Sequence, residues 1–397
     1  MKRAWLLLLL CGCDFGFKPE TLVDDLRVLS ISPDPPELHP GDTANMSALV
    51  LDPKFNPATT MWLACAPDPF NQNRSPCASQ AILEDPSQLS SVNMLPPGLT
   101  FIGVGNNAQY PTDPHLFDTV PADAGVRTTG TVGTMILISV ADTVPIPPSQ
   151  DDIKKLFDEI QSQKVASLIT LFRIRISENP QLNHNPVLGR LKVAEEVVAK
   201  GAHFQVLPHF EAHVDLTSED SDYESYTEVT PTGTEQKTEG LVVAWYSTSG
   251  RFDKDRVALR TDIKAIFTAP GSGDKHDTLP DHPEQMLWAV VRDTRGGQVF
   301  GGFPFFICDP SLAKPVPVNV SSPATRSDPV VITGQNLANV LDVVVNDVAL
   351  EGGAYSPMTD TWRGFIPTDL PSSSLWTIQV LGKDGSRVNY PLTVAVP

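Results

Sequence analysis

Apolar residues at alternate positions, interrupted by proline and glycine, leave this chain little choice but antiparallel sheet. Near its beginning, "LRVLSISPDPPELHPGDTANMSALVLDP" runs as an extended stretch, a proline-rich corner, a Pro-Gly-Asp turn, and then Met46, Ala48 and Val50 two residues apart. Side chains two apart project to one face of a strand, so such a segment buries one face and wets the other. "TTMWLAC" and "TMILISVADT" continue as strands, with Trp62 expected in a core. The 37 prolines and the few, short helical patterns point the same way. At 397 residues and 41% hydrophobic content the chain can fill several cores.

The same order returns further along. "AKGAHFQVLPHFEAHVDL" follows the pattern of "HPGDTANMSALVLDP", and "EGLVVAWYSTSGRF" answers "TTMWLACAP", setting Trp245 against Trp62. "MLWAVVRDTRGGQVF" answers "TMILISVADT", setting Asp293 against Asp142. Two divergent copies of one sandwich are expected, with a boundary where Asn and Pro cluster in "SENPQLNHNP". The entry through Pro40 and Gly41 into a strand of alternating core residues resembles bacterial immunoglobulin-like domains. One insertion, "SQDDIKKLFDEIQSQKVASLI", places Ile153, Leu156, Phe157 and Ile160 at helical spacing behind Ser149 or Asp151 as cap.

From Pro315 onward the pattern changes. Pro323, Ile332-Thr333-Gly334-Gln335-Asn336-Leu337, Val343 to Val345 with Asn346, and "TIQVLGKDGSRVNYPLTV" resemble the IPT/TIG class of immunoglobulin-like domains. Gly334 is expected to supply a positive φ or a close approach, and Asn336 a side-chain cap. The expected fold is all-β: tandem immunoglobulin-like β-sandwiches over 27–180, 181–312 and 313–397, with one short inserted helix.

The first residues, "MKRAWLLLLLCGC", set the compartment. Ala4 to Leu10 is far shorter than the roughly 20 apolar residues a spanning helix needs. Lys2 and Arg3 before it and Gly12 after it have the layout of an export signal. Leu10-Cys11-Gly12-Cys13 resembles the lipobox of bacterial lipoproteins. That resemblance implies a signal peptide over 1–12, a diacylglycerol on the Cys13 thiol, acylation of its new amine, and a lipidated tether over 13–26. Several acyl chains anchor stably where one would not. The expected site is the cell envelope, the outer membrane in preference to the inner, facing periplasm or cell surface. Asp14 marks inner-membrane retention in some lineages, so the leaflet stays open.

The formal net charge is −18, and loss of Lys2 and Arg3 with the signal would take it to −20. Such a surface repels phosphate backbones and anionic head groups, which argues against nucleic acid as a partner. Beyond Cys13 three cysteines remain. Cys65 and Cys77 bracket the turn-rich "APDPFNQNRSP", and export permits a bridge between them, with zinc as the weaker alternative. A loop of this size would contribute about 3 kcal/mol in the chain-entropy picture. Cys308, ending "VFGGFPFFIC", reads as a buried small hydrophobe rather than a nucleophile.

No serine elbow, zinc-protease helix motif, phosphate loop or calcium hand is present. Two weaker groupings remain. His209, Glu211 and His213, with His203 nearby, would share one face of a strand and offer zinc or another transition metal its ligands. Against this, Phe210, Ala212 and Val214 fit the buried side of a half-exposed strand, and same-face neighbours stand about 7 Å apart. Asp220, Asp222 and Glu224 offer oxygens to calcium, although "TSEDSDYESYTEVTPTGTEQKTEG" reads better as a flexible loop. Trp362 and Trp376 are candidate sugar contacts, or core residues of the last domain. The expectation is a lipid-anchored envelope protein without cofactor, structural, adhesive or scaffolding rather than catalytic, docking another envelope protein. The alternatives are a carbohydrate-active accessory or enzyme that meets a glycan, and a metal-binding protein. The proline-containing junctions permit either a rigid rod or a flexing one.

Overall fold

A computed structural model describes residues 19–54, 58–70, 98–122, 125–143, 149–230, 233–271 and 278–396. The fold is nearly all β, in sheets that face each other as tandem sandwiches. In the first, Arg27–Asp34, Thr43–Leu51 and Asn107–Pro111 form one antiparallel sheet. The facing sheet runs Glu37–Leu38, Ser167–Ile176, Thr131–Val140, Thr59–Cys65, Leu99–Val104 in spatial order. Ile31 pairs with Ala48, and both point into a core with Met46, Trp62, Leu137 and Ile174. Trp62 is fully buried, and its indole N–H donates to the Gly105 carbonyl at 2.7 Å.

Thr59–Cys65 and all but one residue of Thr131–Val140 are buried on both faces, which is why "MILISV" shows no alternation. Inward residues meet the sandwich core; outward ones, Met61, Leu63, Ile136 and Ile138, form a second cluster with Leu156. Leu156 comes from the inserted helix, Gln150–Gln161, whose Ser149 hydroxyl accepts the Asp152 N–H in a reciprocal capping box. Of the two caps read from sequence, Ser149 is the one used. A second helix, the five-residue Gly125–Thr129, was not foreseen.

The second sandwich repeats the plan. Glu196–Val197, Leu191–Val193, Glu211–Leu216, Ala265–Thr268 and Arg251–Phe252 form one sheet. Phe204–Val206, Gln298–Ile307, Glu284–Arg292, Val242–Ser247 and Arg256–Ala258 form the other. In both copies a short early strand crosses to the opposite sheet and pairs parallel with the last strand: Glu37–Leu38 on Ser167–Ile176, and Phe204–Val206 on Gln298–Ile307. Trp245, fully buried, stacks on Phe252 in a core that also holds Phe204, Phe267 and Phe305.

In the third, Val316–Ser321, Val330–Gln335, Thr361–Phe365 and Glu351–Ser356 face Val348–Ala349, Val340–Val345, Ser373–Gly382 and Arg387–Val396. Trp362 fills its core with Ile332, Val343 and Ile378. Gly334 has no positive φ; it is there for close approach, since a Cβ would come within 2.2 Å of the Val316 carbonyl oxygen. The left-handed turn falls on Asn336, whose amide donates to the Lys314 carbonyl at 2.9 Å.

One segment departs from expectation. Residues 217–240, read as a loop, hold a 3₁₀ turn, Asp220–Asp222, and an antiparallel hairpin, Ser225–Thr230 with Gly233–Thr238. The charged residues pair across its strands, Glu228 with Lys237, so polar composition did not mean irregular backbone. Gly334→Ala should lower stability by about 1–3 kcal/mol, because the obstacle is backbone that cannot turn aside. Thermal melting of the purified variant measures it.

Candidate functional site

The residues singled out in the sequence do not assemble into one site. Cys13 and Cys77 lie outside the described residues. Cys65 ends its strand fully buried. Cys308 is buried and free, and burial pushes its thiol up to about 11, the opposite of what a nucleophile needs.

His209 is not on the strand. It occupies the turn before Glu211–Leu216 with φ of 62°, and its ring lies where a Cβ on Gly271 would be, 1.9 Å from its Cε1. That turn breaks the alternation that would have aligned it with Glu211 and His213, which do sit exposed on one strand face. No group of three or more His, Cys, Asp or Glu side chains among the described residues is arranged to hold a metal ion. The calcium grouping is dispersed for a similar reason. Asp220 pairs with Arg260, Asp222 accepts the Glu219 N–H at 2.6 Å, and Glu224 meets Arg295 at 3.2 Å and His184 at 2.6 Å. Trp362 is 1% exposed and offers no face to a sugar. Trp376 packs against the same core with its indole N–H buried.

Polar chemistry collects instead at the junctions between sandwiches, which sequence reading missed. At the first, Glu37 of the short crossing strand is 1% exposed. One of its oxygens accepts the Ser177 hydroxyl at 2.9 Å; the other accepts the Asn183 N–H at 3.1 Å and meets the Arg295 guanidinium at 3.3 Å. Arg295 comes from the turn between the last two long strands of the second sandwich, and also donates to the Gln181 carbonyl at 3.0 Å. Its guanidinium lies 4.8 Å from the Tyr226 ring centre. Asp293 shapes that turn by accepting the N–H groups of Arg295, Gly296 and Gly297 at 2.7 to 2.8 Å. Burial raises its pKa in spite of those bonds.

Alongside runs an apolar seam: Val23, Leu29, Leu49 and Leu51 meet Ala244, Trp288 and Val290. Gln298 ties in the backbone, donating to the Ile31 carbonyl and accepting the Ser30 hydroxyl at 3.0 Å. Glu239, 3% exposed, accepts the Glu224 N–H at 3.2 Å, while its other oxygen meets no hydrogen-bond partner among the described residues. Burial pushes its carboxyl up to about 7.

At the second junction Ala202, Val344, Ala349 and Leu381 form a small shared core. His203 donates to Asp342 through its backbone N–H at 2.7 Å and its ring Nδ1 at 3.0 Å. Burial opposes the ring's charge, but Asp342 outweighs it and the net shift is upward. Gln205 reaches the Gly382 carbonyl at 2.6 Å and accepts from Arg387 at 2.9 Å.

Beside His203 opens a cleft of about 890 Å³, walled by Val23, Leu51 and Asp52 on one side and by the Pro280–Trp288 stretch on the other. Gln285 is fixed in its wall by the Thr248 hydroxyl at 2.8 Å and the His282 carbonyl at 2.7 Å.

No protein family matches the chain and no curated protein does. Among solved structures it is similar to a Bacteroides ovatus mixed-linkage glucan utilization locus protein, SGBP-B, in complex with a mixed-linkage heptasaccharide. The identity is 11%, over 94% of this chain and 70% of that one, with a TM-score of 0.18. Three N-terminal domains of the bacteriophage RB49 outer capsid protein Hoc match at 10% identity, over 94% and 99%, with a TM-score of 0.17. SGBP-B from a complex xyloglucan utilization locus in Bacteroides uniformis matches at 14% identity, over 53% and 48%, with a TM-score of 0.16. TM-scores this low say nothing about what this chain binds.

Arg295→Met should cost about 3–5 kcal/mol, because it leaves the buried Glu37 with only the partly exposed Arg175, 3.6 Å away, as counter-charge, and Glu37→Gln in the same chain should restore part of the loss. Chemical denaturation of the single and double variants checks both. Glu239 binds a proton in the folded state that the unfolded chain releases near its ordinary 4.5, so its contribution falls as pH rises from about 4.5 to about 7 and is flat above. Glu239→Gln should therefore gain on the wild type by about 2–3 kcal/mol at pH 8 and by little at pH 4.5, read from melting curves at the two pH values.

Proposed function

We propose that this chain is a lipid-anchored cell-envelope protein that acts as a stiff, non-catalytic scaffold and docks another envelope protein. In this reading the signal over 1–12 is removed, Cys13 carries the acyl chains, 13–26 is the tether, anchored where Val23 packs into the first junction, and three domains follow over 27–180, 181–312 and 313–397. The last is of the IPT/TIG class, and we assign the molecule to the outer membrane. The single observation that carries the scaffold is the bracing of the junctions. Glu37 with Arg295 at the first and His203 with Asp342 at the second are directional contacts between neighbouring sandwiches, each beside an apolar seam. A chain of independently moving modules would leave such surfaces wet.

A Cys65–Cys77 bridge belongs to the same reading. What supports it is that Cys308 is a free thiol and Cys65 is not among the free cysteines of the described residues. Peptide mapping without reductant should recover residues 65 and 77 in one linked species.

The test has two arms. Intact mass of the protein from membranes should show an N-terminus at Cys13 with fatty acyl additions, and Cys13→Ser should abolish both acylation and membrane retention. Crosslinking in cells should recover one stoichiometric protein partner. An unacylated N-terminus overturns the anchor; saturable glycan binding with no protein partner overturns the docking role.

A further inference from the structure

The cleft beside His203 has a chemistry of its own. Its floor is apolar, with Val23, Leu51, Met286 and the indole of Trp288, and its rim carries Asp52, Asp281 and Glu284. Among the described residues no Lys or Arg lines it, and the ring of His203, which does, is paired with Asp342. Asp281 and Glu284 are exposed and form no ion pair among the described residues. Several carboxylates at the rim of an apolar cleft are the environment that holds an ammonium or guanidinium group, through their negative field and charge-assisted hydrogen bonds. The apolar floor takes a hydrophobic side chain next to that cation. Gln285, fixed by two hydrogen bonds, keeps the wall formed before anything binds.

From this geometry we infer that the cleft is where the envelope partner docks, through a segment in which Lys or Arg stands within two residues of a large apolar side chain. The inference rests on the docking role proposed above and names its surface and the chemistry of its partner. Binding here would touch the first two sandwiches at once, so it would depend on the junction that Glu37 and Arg295 hold.

The test uses the full acylated chain in its own membrane, with a photoreactive benzoylphenylalanine replacing His282 in the cleft, or Met358, 96% exposed on the third sandwich, as control. Irradiation of the His282 variant should give one adduct whose linked peptide, sequenced by mass spectrometry, has the stated chemistry. Its yield should fall at least tenfold with Asp281→Lys/Glu284→Lys and stay unchanged with Asp262→Lys/Glu351→Lys, all four proteins melting alike. The inference is overturned if the linked peptide is acidic or uncharged, if the adduct is a glycan or a lipid, if it maps to residues 14–18 of the same chain, if the Met358 variant gives the same peptide, or if cleft charge reversal leaves the yield unchanged. If His282 gives no adduct while general crosslinking still recovers a stoichiometric partner, the cleft is wrong and the docking role stands. If neither recovers a protein, both fall.

Discussion

Glu37 is a carboxylate removed almost wholly from water, and nothing in its own sandwich neutralises it at closer range than Arg175, 3.6 Å away and partly exposed. A buried charge is tolerable only where a counter-charge and hydrogen bonds meet it. Arg295, from the next sandwich, supplies the counter-charge, and Asn183, in the linker between them, supplies an N–H. The junction is therefore part of the folding of both units: separating them would strand Glu37 and Arg295 together. Such a pair adds little net stability against a well-packed apolar alternative. What it supplies is a penalty for every other relative orientation.

The second junction uses the same logic with weaker means. His203 and Asp342 share a proton across it, and Lys200 pairs with Asp369 nearby. Because Asp342 outweighs burial and raises the His203 pKa above its ordinary 6.5, the charged pair is fully present below that ordinary value and is lost as pH climbs through the raised one. The two junctions thus differ in character, one held by a permanently charged guanidinium and the other by a group that titrates.

Much of the fold was legible in the chain. Alternation gave the strands, the recurrence of Trp62 as Trp245 gave the repeat, and Ser149 with Leu156 gave the inserted helix and its packed face. These signals are local, so a linear reading reaches them. The hairpin at 225–238 was lost because its stabilising pairs, Glu228 with Lys237 and Thr227 with Gln236, look like solvated loop until the strands are set opposite each other. His209 misled because periodicity assumes continuous strand, and a single left-handed residue ended it. The junctions were illegible for a stronger reason. Glu37 and Arg295 are 258 residues apart, and each alone is an ordinary surface residue type.

The parallel pairing of Glu37–Leu38 with Ser167–Ile176, repeated by Phe204–Val206 with Gln298–Ile307, bears on how these units carry load. In each, residues near the entry of the unit are hydrogen-bonded alongside its exit strand. Tension applied at opposite ends pulls the two strands past each other, so their bonds must break together in shear instead of peeling open singly. Any pull that reaches one of these units through its two ends would meet it along that seam.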